Sequence, residues 1–106
     1  MGGSGFWPDF FTDSMGAQGL ISLNESLYKN WTKVLFGYCD GALMQGGNDS
    51  PIQYKDTKLY FRGGKIMRSH FTYLINKYQL DKASKILLTG GSAGGLASIA
   101  WGNYLQ

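Results

Sequence analysis

The stretch Lys85-Ile86-Leu87-Leu88-Thr89-Gly90-Gly91-Ser92-Ala93-Gly94-Gly95-Leu96-Ala97-Ser98-Ile99-Ala100-Trp101 decides the fold. Lys85-Ile86-Leu87-Leu88-Thr89 is a compact apolar run of strand length and predicts a buried strand. The glycine-rich Gly90–Gly95 predicts a tight turn. Leu96-Ala97-Ser98-Ile99-Ala100-Trp101 then opens a helix. Strand, sharp turn and helix in this order frame a nucleophile elbow, and Gly90-Gly91-Ser92-Ala93-Gly94 fits its G-x-S-x-G pattern.

The pattern has a physical reason. So sharp a turn forces the serine into strained dihedrals and crowds the positions two residues either side, where Gly90 and Gly94 stand. Ser92 Oγ then projects above the sheet edge, where an ester carbonyl and a histidine can both reach it. The start of the following helix offers unpaired backbone N–H groups and the positive end of a dipole. The N–H of Ala93 would be one oxyanion donor. Two other readings compete: a plain glycine-rich β–α turn, and a phosphate-binding turn. A P-loop is rejected, because no Lys-Ser/Thr follows the last glycine. Thr89-Gly90-x-x-x-Gly94 also resembles a dinucleotide-binding pattern, but Leu96 stands where that pattern wants another glycine.

Upstream of the elbow, Met67, Phe71, Leu74, Ile75 and Tyr78 fall on one helical face and predict a helix over residues 65–79. Gly63-Gly64 breaks the chain before it, and Asp81-Lys82-Ala83-Ser84 turns after it. Lys58-Leu59-Tyr60-Phe61-Arg62 reads as a short strand or extended segment, and residues 41–57 as loop. Thr32-Lys33-Val34-Leu35-Phe36-Gly37-Tyr38 is another strand, apolar on both faces as a buried parallel strand would be. Asn24 to Asn30 could make one helical turn, Gly19-Leu20-Ile21-Ser22 a short extended segment, and residues 1–19 a surface loop. The order strand, helix, strand, turn, helix implies an α/β fold with a mostly parallel sheet and right-handed crossovers.

Composition narrows the function. The 106 residues carry a net charge of +3, but the ten Lys and Arg are scattered and form no basic patch, which argues against a nucleic-acid partner. No apolar run approaches the roughly 18 residues of a membrane span. The single Cys39 and single His70 make a zinc site improbable, and no metal is expected. Cys39 reads as a buried thiol or as half of a disulfide with a partner elsewhere. Three of the five asparagines sit in N-x-S/T acceptors: Asn24-Glu25-Ser26, Asn30-Trp31-Thr32 and Asn48-Asp49-Ser50. That excess leans towards a secreted glycoprotein. The opening Met1-Gly2-Gly3-Ser4-Gly5 lacks the basic and apolar regions of a signal peptide.

Several motifs in register resemble the pectin acetylesterase/Notum family of secreted serine esterases: Gly19-Leu20-Ile21-Ser22, Asn30-Trp31-Thr32-Lys33-Val34, Tyr38-Cys39-Asp40-Gly41-Ala42, Leu59-Tyr60-Phe61-Arg62-Gly63 and Gly91-Ser92-Ala93-Gly94-Gly95-Leu96-Ala97. The resemblance implies an α/β-hydrolase-like fold. It matches Ser92 to the nucleophile and Ala93 to the oxyanion donor, and needs no cofactor. It implies O-acylated polysaccharide or lipidated protein as substrate. Gly91 departs from the family, which has Cys there. The family's Gly-Gly-Gly-Trp oxyanion loop is not matched, and neither Asp nor His follows Ser92. His70 precedes the elbow, the wrong order for the base of an α/β hydrolase, so it reads as a helix residue. Asp40 reads as a turn residue. The expectation is therefore one partial domain over 1–106, carrying the nucleophile of a carboxylesterase without its Asp and His, and close to inactive alone. The alternative is a non-catalytic fragment or pseudo-enzyme of the same fold.

Overall fold

Apolar side chains at helical spacing build α1, Gly63–Tyr78, in the computed structural model of the chain, which describes residues 27–106. Met67, Phe71 and Leu74 are buried, whereas Ile75 and Tyr78 from the same expected face stay exposed. The helix ends at Gln79, which takes a left-handed conformation (φ 56°, ψ 44°) and donates its N–H to the Ile75 carbonyl at 3.0 Å. This is a common way to satisfy the last carbonyls of a helix. A single 3-10 turn, Leu80–Lys82, follows. The second helix, α2, runs Ala93–Gly102 and continues into a 3-10 turn over Asn103–Leu105.

The two helices meet through large rings. Phe71 and Trp101 lie 5.8 Å apart between centroids, Trp101 and Tyr104 5.2 Å, and Phe71 and Tyr104 5.8 Å. Arg68 stacks its guanidinium 5.7 Å from the Trp101 ring. Phe71 and Trp101 form the buried apolar core with Met67, Leu74 and Ala97, while Tyr104 stays exposed at its edge. Each fully buried Phe or Met contributes about 1.5–3 kcal/mol.

Asp40 is the one polar side chain buried among the described residues, at 5% exposure. Its carboxylate accepts four backbone N–H groups. Oδ1 takes those of Ala42 (3.0 Å) and Met44 (3.2 Å). Oδ2 takes those of Gly46 (3.0 Å) and Gly63 (2.8 Å). Gly63 opens α1, and its flanking residue Arg62 provides no side-chain cap, so Asp40 caps the helix from 23 residues upstream. The expected turn residue is thus also a long-range tie. Gly63-Gly64 is not a break but the first turn of α1. A Cβ on Gly63 would overlap Asp40 Oδ2 and sit 2.7 Å from the Met44 carbonyl carbon. Glycine is required there because the carboxylate occupies the side-chain space.

A hairpin joins residues expected to be loop, 52–57, to the start of the expected Lys58–Arg62 strand. The strands β1, Ile52–Tyr54, and β2, Thr57–Leu59, pair antiparallel with Tyr54 opposite Thr57. Lys55 makes the turn at φ 51°, and the Gln53 side-chain amide donates to its carbonyl at 2.6 Å. A positive φ in the loop suits the right-handed twist of the strands. The turn pair is Lys-Asp rather than Asn-Gly, so the sequence carries no strong hairpin signal. Beside the hairpin, Lys65 pairs with Asp49, and Arg62 donates to the Asp49 carbonyl at 2.7 Å. The Lys65 hydrogen bond holds the Asp49 carboxyl below its ordinary range. Both groups are exposed, so the pair adds little to stability.

The expected parallel sheet does not form among the described residues, where the one sheet is this hairpin. Neither Thr32–Tyr38 nor Lys85–Thr89 enters a strand ladder, and of the expected Lys58–Arg62 segment Lys58 and Leu59 lie in β2. Ile86 and Leu87, expected to be buried, are 46% and 47% exposed. Branched apolar residues favour a pleated surface, but a strand exists only by hydrogen bonding to a neighbour and packing against a layer. Among the described residues neither segment has a strand partner.

The described residues fall into two compact units, which divide after Gly37. In the first, residues 27–30 form a turn closed by the Trp31 N–H on the Tyr28 carbonyl at 3.0 Å, with the two rings edge to face at 5.1 Å. This is the C-terminal part of the turn expected over Asn24 to Asn30. Residues 24–26, the segment Gly19–Ser22 and the expected loop 1–19 lie outside the described residues. The second unit, Tyr38–Gln106, carries both helices and the hairpin.

Candidate active site

The turn between Lys85–Thr89 and α2 delivers Ser92 at the helix N-terminus. Ser92 sits at φ 51°, ψ −120° and is exposed. A non-glycine residue in this region of backbone space costs on the order of 1–3 kcal/mol. Serine is also among the best N-cap residues, and capping is the ordinary structural reason to find one here. Yet the Ser92 side chain makes no capping hydrogen bond to α2. Its backbone instead closes the first turn: its carbonyl accepts the N–H groups of Gly95 (3.0 Å) and Leu96 (3.2 Å). Gly94 donates to the Gly91 carbonyl at 2.9 Å.

Ala93 is the first residue of α2 and is half-buried. Among the described residues no backbone carbonyl accepts its N–H. A strained, exposed hydroxyl therefore sits next to an available backbone donor at the positive end of a helix. That pairing suits a nucleophile and a developing oxyanion.

The two glycines expected to relieve the turn differ. A Cβ on Gly90 would overlap the carbonyl of Gly94 and lie 2.8 Å from its Cα, so Gly90 must be glycine. A Cβ on Gly94 meets nothing within 4 Å. The tighter partner on the helix side is Gly95, whose added Cβ would stand 3.1 Å from the Gly90 carbonyl oxygen. Gly90 lets the incoming backbone lie directly on the first turn of α2. At Gly91 nothing crowds an added Cβ, so a larger residue would fit.

α2 is fixed at its far end. Trp101 Nε1 donates to the Met44 carbonyl at 3.0 Å, and Ser98 Oγ donates to the Gly94 carbonyl at 2.8 Å within the helix. His70 is half-buried on α1, and Cys39 is half-buried beside Asp40. Of the acceptor asparagines, Asn30 and Asn48 are exposed, and Asn24 lies outside the described residues. Among the described residues no three His, Cys, Asp or Glu side chains cluster to hold a metal ion. No helix there is long and apolar enough to cross a membrane.

A strained serine beside a helix-terminal N–H without a backbone acceptor is the local geometry that a nucleophile elbow would need. The chain as a whole belongs to the pectinacetylesterase family, whose model matches residues 2–106. It is similar to three Arabidopsis thaliana proteins. Pectin acetylesterase 5 is 35% identical over 92% of this chain and 23% of its own length. Pectin acetylesterase 4 is 31% identical over 92% of this chain and 24% of its own length. Pectin acetylesterase 11 is 36% identical over 76% of this chain and 20% of its own length. The chain thus spans about a quarter of the length of the first of these relatives. No solved structure matches it. Membership supports a carboxylic ester hydrolase family and an α/β-hydrolase-like fold class, and it agrees with the sequence resemblance.

Proposed function

We infer that this chain is the nucleophile-bearing segment of a secreted serine esterase that removes acetyl groups from pectin-like polysaccharide. The observation that carries the reading is Ser92 itself: exposed, held at φ 51°, and making no capping bond with its side chain, in a chain of the pectinacetylesterase family. In the longer protein, Ser92 Oγ attacks the acetyl carbonyl while a histidine from outside these residues accepts its proton, oriented by an aspartate. The oxyanion rests on the Ala93 N–H and on donors from elsewhere. Collapse expels the sugar oxygen, which takes the proton from the histidine, and water then releases acetate from the acetyl-enzyme. The relatives are named pectin acetylesterases, which favours acetylated polysaccharide over lipidated protein. The exposed Asn30 and Asn48 acceptors support an extracellular glycoprotein. The segments Thr32–Tyr38 and Lys85–Thr89 take their places in a mostly parallel sheet there, which would cover Ile86 and Leu87.

Acetate release from acetylated pectin by the full-length protein tests this. Ser92→Ala is expected to lower kcat by about 10³-fold or more. An unchanged rate sinks the reading. The 106 residues alone are expected to turn over p-nitrophenyl acetate negligibly, because a serine without a base is a poor nucleophile at neutral pH.

A further inference from the structure

The buried Asp40 carboxylate has no part in the chemistry above, yet its contacts lead to the elbow. It binds the Met44 N–H through Oδ1 and the Gly46 N–H through Oδ2. This loop is in an unusual state, since Leu43 and Met44 both take left-handed φ values, 56° and 59°. Two successive non-glycine residues rarely adopt this conformation without something to hold them. The carboxylate supplies that hold. The Tyr38 hydroxyl supports it by accepting the Leu43 N–H at 2.9 Å. Fixing Met44 in this conformation sets the direction of its carbonyl, which accepts the Trp101 indole N–H at 3.0 Å. Trp101 is buried near the C-terminal end of α2. An α-helix of this length, 10 residues, behaves as a rod about 15 Å long. Tethering Trp101 therefore restrains the opposite end, where the Ser92 and Ala93 backbones turn. The same carboxylate binds the Gly63 N–H and so fixes α1, which carries Phe71 against Trp101.

We propose that Asp40 is a positioning residue for the elbow: it shapes the Tyr38–Gly46 loop so that the Met44 carbonyl anchors α2 through Trp101 and holds Ser92 and the Ala93 N–H in place. What Ser92 does once positioned rests on the esterase reading, but the coupling itself does not.

Amide hydrogen exchange of this chain tests the coupling without needing activity. The reporters are the elbow amides of Gly94 and Gly95, bonded to the Gly91 and Ser92 carbonyls, and the hub amides of Met44, Gly46 and Gly63. Trp101→Phe keeps a ring against Phe71 and removes the indole donor. It is expected to speed exchange at Gly94 and Gly95 by about tenfold while the hub amides keep their rates. Asp40→Asn is expected to speed both sets. Elbow amides at wild-type rates in Trp101→Phe overturn the proposal. So does equal acceleration of every amide in that variant, which would report only lost global stability. If Asp40→Asn does not fold, Trp101→Phe alone decides. Failure of the esterase reading would appear separately, as unchanged acetate release in Ser92→Ala.

Discussion

Asp40→Ala is expected to remove a large share of the stability of the Tyr38–Gln106 unit. The substitution strands four backbone N–H groups, those of Ala42, Met44, Gly46 and Gly63, around a buried cavity. A buried donor left without an acceptor costs about 1–3 kcal/mol, and hydrogen bonds to a charged group lie at the strong end of the range. Some of the four can turn to water once the loop opens, so a loss of about 4 kcal/mol is a conservative sum. Small domains are stable by only about 5–15 kcal/mol, so the loss is a large fraction of the total. The left-handed Leu43 and Met44 add to the loss, because among the described residues Asp40 is the acceptor that binds the Met44 N–H. Asp40→Asn keeps one acceptor oxygen but turns an NH₂ towards N–H donors, so it should fall between wild type and alanine. Urea titration followed by helical circular dichroism reads all three. An Asp40→Ala midpoint equal to wild type would contradict the hub.

The second large effect is expected at Gly90. Gly90→Ala places a methyl group inside the Gly94 carbonyl, which is backbone and cannot swing aside as a flexible side chain would. Overpacking ordinarily costs about 1–3 kcal/mol. Here relief requires the incoming segment to lift off α2, so the tight turn itself should be lost, and with it the acetate release that the proposed function expects of the longer protein. Gly94→Ala is the control, two residues beyond Ser92 in the same pattern. Its Cβ meets nothing within 4 Å, and alanine in a helix is favoured over glycine by about 0.8–1.0 kcal/mol. It should fold at least as well as wild type. Equal damage from both substitutions would show that the turn is not packed as described.

What could be read from the residues follows their range of action. The α1 stripe was legible because Met67, Phe71 and Leu74 repeat at the helical period. The turn into α2 was legible because glycine and serine cluster just before a helix-forming run, whereas the strand expected over Lys85–Thr89 is not formed among the described residues. Asp40 was legible only as a turn former; its bond to the Gly63 N–H crosses 23 residues, and no local pattern carries it. The Gly63-Gly64 pair reads as a breaker by propensity, but it starts a helix because the carboxylate needs its space. The hairpin was missed because Lys55-Asp56 is not a preferred turn pair. The parallel sheet was inferred from β-favouring runs, which state a preference but not a partner. The exposed Ile86 and Leu87 are that preference without the layer that would cover it.

The central claim is that Ser92 is an esterase nucleophile. The most direct measurement is fluorophosphonate labelling of the full-length protein, followed by peptide mapping. The account predicts one adduct, on Ser92, absent in Ser92→Ala. Labelling at another serine, or none in a preparation that releases acetate from acetylated pectin, would contradict it.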